Sequence, residues 1–154
     1  MATYMISAEE NPSTEDTERV RAGLAAFNAR HAPTGEFYPI TLLVRDAEGT
    51  VAGGLLGGLY WGWLYVEILW LDDALHGQGI GTRLLQQAEQ IAVERGCRAA
   101  HLDTMSFQAL GFYQKQGYEV YGTLDDMPRG HQRFFLQKHL LGNQPSLSQS
   151  DSDS

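Results

Sequence analysis

Residues 68–85 read Ile68-Leu69-Trp70-Leu71-Asp72-Asp73-Ala74-Leu75-His76-Gly77-Gln78-Gly79-Ile80-Gly81-Thr82-Arg83-Leu84-Leu85. An apolar strand runs into a glycine-punctuated turn and then into a helix. That order matters because a helix start presents backbone N–H groups with no intrahelical partner, together with the positive end of the helix dipole. Gly77, Gly79 and Gly81 lack a β-carbon, so an anionic ligand can approach the main chain closely. A phosphate or pyrophosphate is the natural occupant of such a turn.

Working outward, Ile80, Leu84, Leu85, Ala88, Ile91 and Ala92 mark one face of a helix from Gly79 to Arg95, which Gly96 stops. Before the turn, Trp63 to Leu71 is apolar on nearly every residue and reads as a central strand. Ile40 to Arg45 and Thr50 to Tyr60 read as two strands joined by a turn at Asp46-Ala47-Glu48-Gly49. Tyr4 to Ala8 reads as a short opening strand. Val20, Leu24 and Phe27 recur at helical spacing, which predicts a helix from about Thr14 to Arg30. His31 to Pro39 is a loop. Beyond Gly96 follow a strand at Ala99 to Thr104, a helical stretch at Gln108 to Gln116, and strands at Tyr118 to Thr123 and Arg133 to Lys138. The expected order, β-α-β-β-β-α-β-α-β-β, is an α/β mixed sheet with antiparallel early strands and a central β-α-β crossover.

Composition narrows the classes. At 154 residues, 43% of them hydrophobic, the chain can build a core and reads as one domain over 1–141. Gly142 to Ser154 is Ser-, Gln- and Asp-rich and reads as a disordered tail. A net charge of −8 without a Lys/Arg cluster argues against nucleic acid and favours cationic partners. Apolar runs stop well short of the roughly 18 residues a membrane span needs, and no signal peptide is evident. The single cysteine, Cys97, has no internal disulfide partner, which fits a cytoplasmic protein. His101 and His131 have no metal-ligand partners at useful spacing, so no metal is expected.

Three phosphate-binding turns compete. A nucleotide-triphosphate loop needs Gly-Lys-Ser/Thr, whereas Gly81 is followed by Thr82-Arg83. The dinucleotide fingerprint matches at Gly77 and Gly79, and Asp103 lies about 20 residues on, where a ribose-binding acid would sit. Its third glycine, however, falls on Thr82, and Asp72 to His76 separate strand from glycines.

The third reading is a resemblance. His76-Gly77-Gln78-Gly79-Ile80-Gly81 resembles the Gln/Arg-x-x-Gly-x-Gly/Ala signature of the GNAT superfamily of acetyl-CoA-dependent N-acetyltransferases, departing only at His76. Phe112-Tyr113-Gln114-Lys115-Gln116-Gly117-Tyr118 is similar to that family's Phe/Leu-Tyr-x-x-x-Gly-Phe/Tyr element. The resemblance implies a GNAT-like sheet with a splayed fourth strand, and acetyl-CoA as co-substrate. It implies that amides from Gly77 to Thr82, Gln78, Gly79 and Gly81 among them, hold the CoA pyrophosphate, with His76 either contacting a phosphate or simply solvated. Amides near Leu69 and Leu71 would bind the pantetheine arm, and Ser106 stands where the family often carries an Asn that contacts it. Tyr113 matches the tyrosine that serves as general acid near the sulfur.

Glu67 is the only acid within Trp63 to Leu71. It lies near the position from which some family members deprotonate the amine. Partial burial among Trp, Tyr and Leu would raise its pKa and suit a base; an outward-facing strand Glu is the plain alternative. Asp103 is a second candidate with a structural reading. Alternation sends Trp61, Trp63 and Tyr65 to one face and Tyr60 to the other, as core or as an aromatic pocket for the acceptor. The expected function is direct acetyl transfer to a primary amine of a small cationic molecule. A non-catalytic acyl-CoA-binding module and a dinucleotide-dependent enzyme are the rivals. A homodimer is an expectation of the resemblance alone.

Overall fold

The structure, a computed structural model, describes residues 2–33 and 35–140. The tail predicted for 142–154 lies outside the described residues. The chain divides into two compact units, the second beginning at Glu36.

In the first unit, Thr14–Ala29 forms helix α1. Ser13 caps it by accepting from the Asp16 N–H at 3.1 Å, and Glu15 and Asp16 complement the dipole in the first turn. The strand expected at Tyr4 to Ala8 is not formed. Five residues of alternating character set a preference only, and a strand needs a ladder partner to persist.

The second unit is a six-stranded open sheet. Its strands are β1 (Tyr38–Arg45), β2 (Val51–Tyr60), β3 (Trp63–Leu71), β4 (Ala99–Met105), β5 (Glu119–Asp125) and β6 (Gln132–His139), in the order β1-β2-β3-β4-β6-β5. β1, β2 and β3 pair antiparallel. Helix α2 (Ile80–Glu94) then carries the chain across to β4, which lies parallel to β3. After the short helix α3 (Leu110–Lys115), β6 inserts between β4 and β5, antiparallel to both.

The core lies between α2 and one face of the sheet. Leu84, Leu85, Ala88 and Ala92 of α2 are buried against Leu55, Leu64, Val66, Leu102 and Leu136, as the helical spacing predicts. A partly buried ion pair fastens α2 to β6. Glu89 accepts from Lys138 Nζ at 3.0 and 3.1 Å and from the Tyr118 hydroxyl at 2.8 Å. Among the described residues no helix is long and apolar enough to cross a membrane.

Two local devices shape the middle of the sheet. Trp61 and Gly62, both at positive φ (51° and 81°), make a two-residue turn between β2 and β3. Tyr60 and Trp63 are therefore directly paired and share a face. The alternation that sent Tyr60 to the opposite face from Trp63 is thus corrected, because it ran the strand pattern straight through a turn. The second device is a β-bulge. Leu56 pairs with Ile68 while Gly57 pairs with Val66, so Glu67 is the extra residue. Before the bulge Leu64 and Val66 point into the core; after it the phase flips. Leu69 and Leu71 are half-buried, while Ile68 and Trp70 are exposed.

Candidate active site

β3 and β4 pair only from Trp63–Val66 against Ala99–Leu102. Beyond that point they part, which is the splay the sequence resemblance implied. The gap is a cleft of about 490 Å³ that brings together Glu67, Leu69 and Leu71 of β3, His76 of the turn, Asp103 of β4 and Tyr113 of α3. The unpaired edge of β3 offers main-chain groups to an extended ligand, as an incomplete sheet does.

The glycine turn comes directly after this edge. Gly77 and Gly79 sit at φ 79° and 77°, where a β-carbon would meet open space, so backbone conformation alone selects glycine there. Gly81 differs: its β-carbon would lie 3.4 Å from the Phe112 ring, so its small size lets α3 pack close to the start of α2. The amino end of α2 has no side-chain cap and no acidic residue in its first turn. Arg83 stands there instead, a cation at the positive end of a dipole, an arrangement that an incoming anion would relieve.

The polar side chains of the turn are used on the turn itself. His76 Nε2 donates to the Leu71 carbonyl at 3.1 Å, and Gln78 Nε2 to the Ala74 carbonyl at 2.9 Å. Thr82 Oγ1 accepts from Gln116 Nε2 at 3.1 Å, tying α2 to α3. These contacts hold the loop shape and leave the main chain to face a ligand.

Tyr113 is only 6% exposed. Its ring meets Phe112 and Tyr118 edge-on, with centroids 5.2 and 6.0 Å away. Burial, reinforced by the Asp103 carboxylate, pushes its pKa up to about 12, so the phenol keeps its proton at neutral pH. α3 is aimed by a network that sequence reasoning misses. Gln108 Oε1 accepts from the Met105 N–H at 2.7 Å, and buried Thr104 Oγ1 accepts from the Ala109 N–H at 3.3 Å. A Thr and a Gln four residues apart between a strand and a helix are its only signal.

The two acids play different parts. Asp103 Oδ1 accepts from Arg133 Nε at 3.0 Å and Nη2 at 2.9 Å, so its charge is matched. Glu67, on the bulge, is exposed rather than partly buried as expected, because the extra residue throws it out of the alternating pattern. Ser106 lies at the end of β4, exposed. Its hydroxyl accepts from the Gln132 N–H at 3.1 Å and lies 3.3 Å from His131 Nδ1, and it is not among the cleft-lining residues. Cys97 is buried, which pushes its thiol pKa up, the wrong direction for a nucleophile. No group of metal-ligating side chains occurs among the described residues.

A second cavity, about 670 Å³, lies on the sheet face that alternates with the core face. Trp63, Tyr65 and His101 form its floor. His101 stacks on Tyr65 (4.9 Å, 23°) and meets Trp63 edge-on at 5.6 Å. Burial holds the His101 pKa below its usual value, so the ring is neutral near pH 7. Phe37 lies over Gly58, where a β-carbon would come within 2.1 Å of its ring. A glycine inside a strand marks such an approach, and this one has no other sign in the sequence.

Comparison with known proteins agrees with this geometry. The model of the Acetyltransferase (GNAT) family matches residues 2–118. An acetyltransferase of Agrobacterium fabrum is 35% identical over 126 residues, 82% of this chain and 92% of that protein. Blasticidin-S acetyltransferase of Streptomyces morookaense is 39% identical over 115 residues, 72% of this chain and 85% of that one. The crystal structure of an acetyltransferase from Bacillus cereus superposes with a TM-score of 0.78 at 34% identity, covering 86% of this chain and 97% of that one.

Proposed function

The chain belongs to the GNAT acetyltransferase family and is an acetyltransferase, and from that premise we propose that it moves an acetyl group from acetyl-CoA directly to a primary amine of a small cationic molecule. The observation that carries this reading is the meeting of a protonated Tyr113 and an ionisable Glu67 at the cleft where β3 and β4 separate.

The cleft suits the donor. The free edge of β3 at Leu69 and Leu71 can bond an amide-bearing arm as an added strand, and the uncapped amides from Gly77 to Thr82 can hold a pyrophosphate. When bound, acetyl-CoA supplies an acetyl group activated as a thioester. The acceptor attacks as the neutral amine, its ammonium having first given a proton to solvent, and Glu67 accepts the second proton that the nitrogen sheds as the new N–C bond forms. Tyr113 gives its phenolic proton to the sulfur as the C–S bond breaks. Solvent restores both groups between turnovers. Asp103, held by Arg133, keeps the Tyr113 proton in place by its nearby negative charge.

The acceptor class is supported by the net charge of −8 and by Glu67 and Asp73 around the cleft, which favour an approaching ammonium. The relative named for blasticidin S is in keeping with a small-molecule acceptor. The test is a panel of cationic, neutral and anionic amines with acetyl-CoA, followed by release of free thiol. Turnover confined to cationic amines, and abolished or strongly reduced in Tyr113→Phe, is expected. Preference for anionic amines would remove the steering argument, and silence across the panel would remove the reaction.

A further inference from the structure

We infer that the aromatic cavity on the open face of the sheet holds a flat, uncharged aromatic or heteroaromatic ring of the acceptor, whose amine extends from it to the β3–β4 cleft. This rests on the acetyltransfer reading above and adds the part of the acceptor that does not react.

The lining of the cavity is the first ground. Trp63, Tyr65 and His101 make a floor already locked by ring–ring contacts, and Phe37 and Tyr60 stand beside it. Of the eight lining residues only Gln137 is not aromatic, and none carries a formal charge near neutrality. Such a surface gains most from a flat partner, because aromatic rings attract one another by offset or edge contact beyond simple area burial. A polyamine would find no carboxylate there to pair its charges. Gln137 offers one donor and one acceptor group, which suits the edge of a heteroaromatic ring.

The cavity is built rather than incidental. Gly58 gives Phe37 room to lie over the strand. On the far side, Val120 pairs with Leu136 while Gly122 pairs with Phe135, so Tyr121 is the extra residue of a bulge, and it lines the cavity. The volume, about 670 Å³, falls in the range of small-molecule sites.

Charge divides the two ends of the acceptor. Glu67 follows Tyr65, and Asp103 follows His101, two residues further along their strands. On β4, where the strand is regular, two residues at about 3.3 Å each put the acidic end about 6–7 Å beyond the ring floor. The acceptor is therefore a ring joined to its amine by a linker of about three atoms. Its neutral end faces neutral rings and its ammonium faces the exposed Glu67 carboxylate.

The test compares naphthylpropylamine with its fully saturated decalin counterpart, equal in length and charge, by isothermal titration without donor and by thiol release with acetyl-CoA. The aromatic amine is expected to bind about tenfold more tightly and to show the difference in KM rather than kcat. Trp63→Ala is expected to erase the discrimination and Trp63→Phe to retain it. Equal binding of the two amines to the wild-type protein would overturn the inference, as would discrimination that survives Trp63→Ala. If the aromatic amine binds preferentially but no amine releases thiol, the acetyltransfer reading fails and the ring site stands.

Discussion

Replacing Tyr113 by Phe deletes one hydroxyl and keeps the ring that packs against Phe112 and Tyr118. The phenol has a pKa of about 12 in the folded protein against the ordinary value of 10. Between those values the folded chain retains a proton that the unfolded chain has lost, so stability falls as pH rises. That difference corresponds to about 2.7 kcal/mol. Wild-type stability minus that of Tyr113→Phe should thus be constant well below pH 10 and shrink by most of that amount by pH 12. Tyr118, whose pKa is also raised by burial and by Glu89, is present in both proteins and cancels. Urea unfolding of the pair in steps from pH 8 to 12 measures the difference. Parallel curves would show that the hydroxyl is solvated, and would refute the placement of Tyr113 as a buried proton donor. The same variant should lose about 10²-fold or more in kcat at neutral pH if the proton it carries goes to the leaving sulfur.

Three further outcomes are expected. Glu67→Gln should lower kcat/KM by about 10²–10⁴-fold, since an amide cannot take the amine's proton; initial rates at neutral pH check it. Gly57→Ala and Gly58→Ala should separate: a β-carbon on Gly57 would press the Tyr65 carbonyl at 2.2 Å, whereas one on Gly58 meets the exposed Phe37 ring, which can swing away. Calorimetry should show a loss of about 1–3 kcal/mol for Gly57→Ala and little for Gly58→Ala, whose change should appear in acceptor KM. Lys138→Met leaves the nearly buried Glu89 carboxylate with one hydroxyl partner, and should cost about 3 kcal/mol; adding Glu89→Gln should recover most of it in urea titrations.

Much of this was legible because it is local. The stretch from Leu71 to Leu85 carries its own turn glycines and helix periodicity, and the observed α2 departs from the expected span only at its capping residues. Phe112 to Tyr118 similarly announces a helix end and places Tyr113. What escaped the sequence depends on pairing between distant segments. The Arg133–Asp103 bond joins residues 30 apart, and the Glu89–Lys138 pair joins residues 49 apart; neither has a local signal. Tyr4 to Ala8 failed for the same reason in reverse, since local alternation cannot supply a neighbour to pair with. The face of Tyr60 was misassigned because the turn at Trp61-Gly62 is carried by an aromatic residue at positive φ, which composition does not flag.

The bulge at Glu67 is where these failures and the function meet. A strand that is apolar at almost every position has no period to read, so a one-residue insertion in its ladder is invisible in the sequence. Yet that residue decides which side chains reach which site. Without it, Ile68 and Trp70 would continue the inward phase of Leu64 and Val66, pressing two large side chains toward α2 in place of Leu69 and Leu71. With it, Trp63 and Tyr65 lie on the aromatic face while Leu69 and Leu71 take the inward phase, on the stretch of β3 that lines the cleft. Glu67 stands at the junction, outside the ladder and exposed, next to the point where β3 leaves β4. The same irregularity therefore separates the face proposed to receive a ring from the edge proposed to receive the donor, and it sets an ionisable group between them. A mutation that only changes the Glu67 side chain should alter chemistry alone, because the geometry belongs to the extra backbone unit and not to the carboxylate.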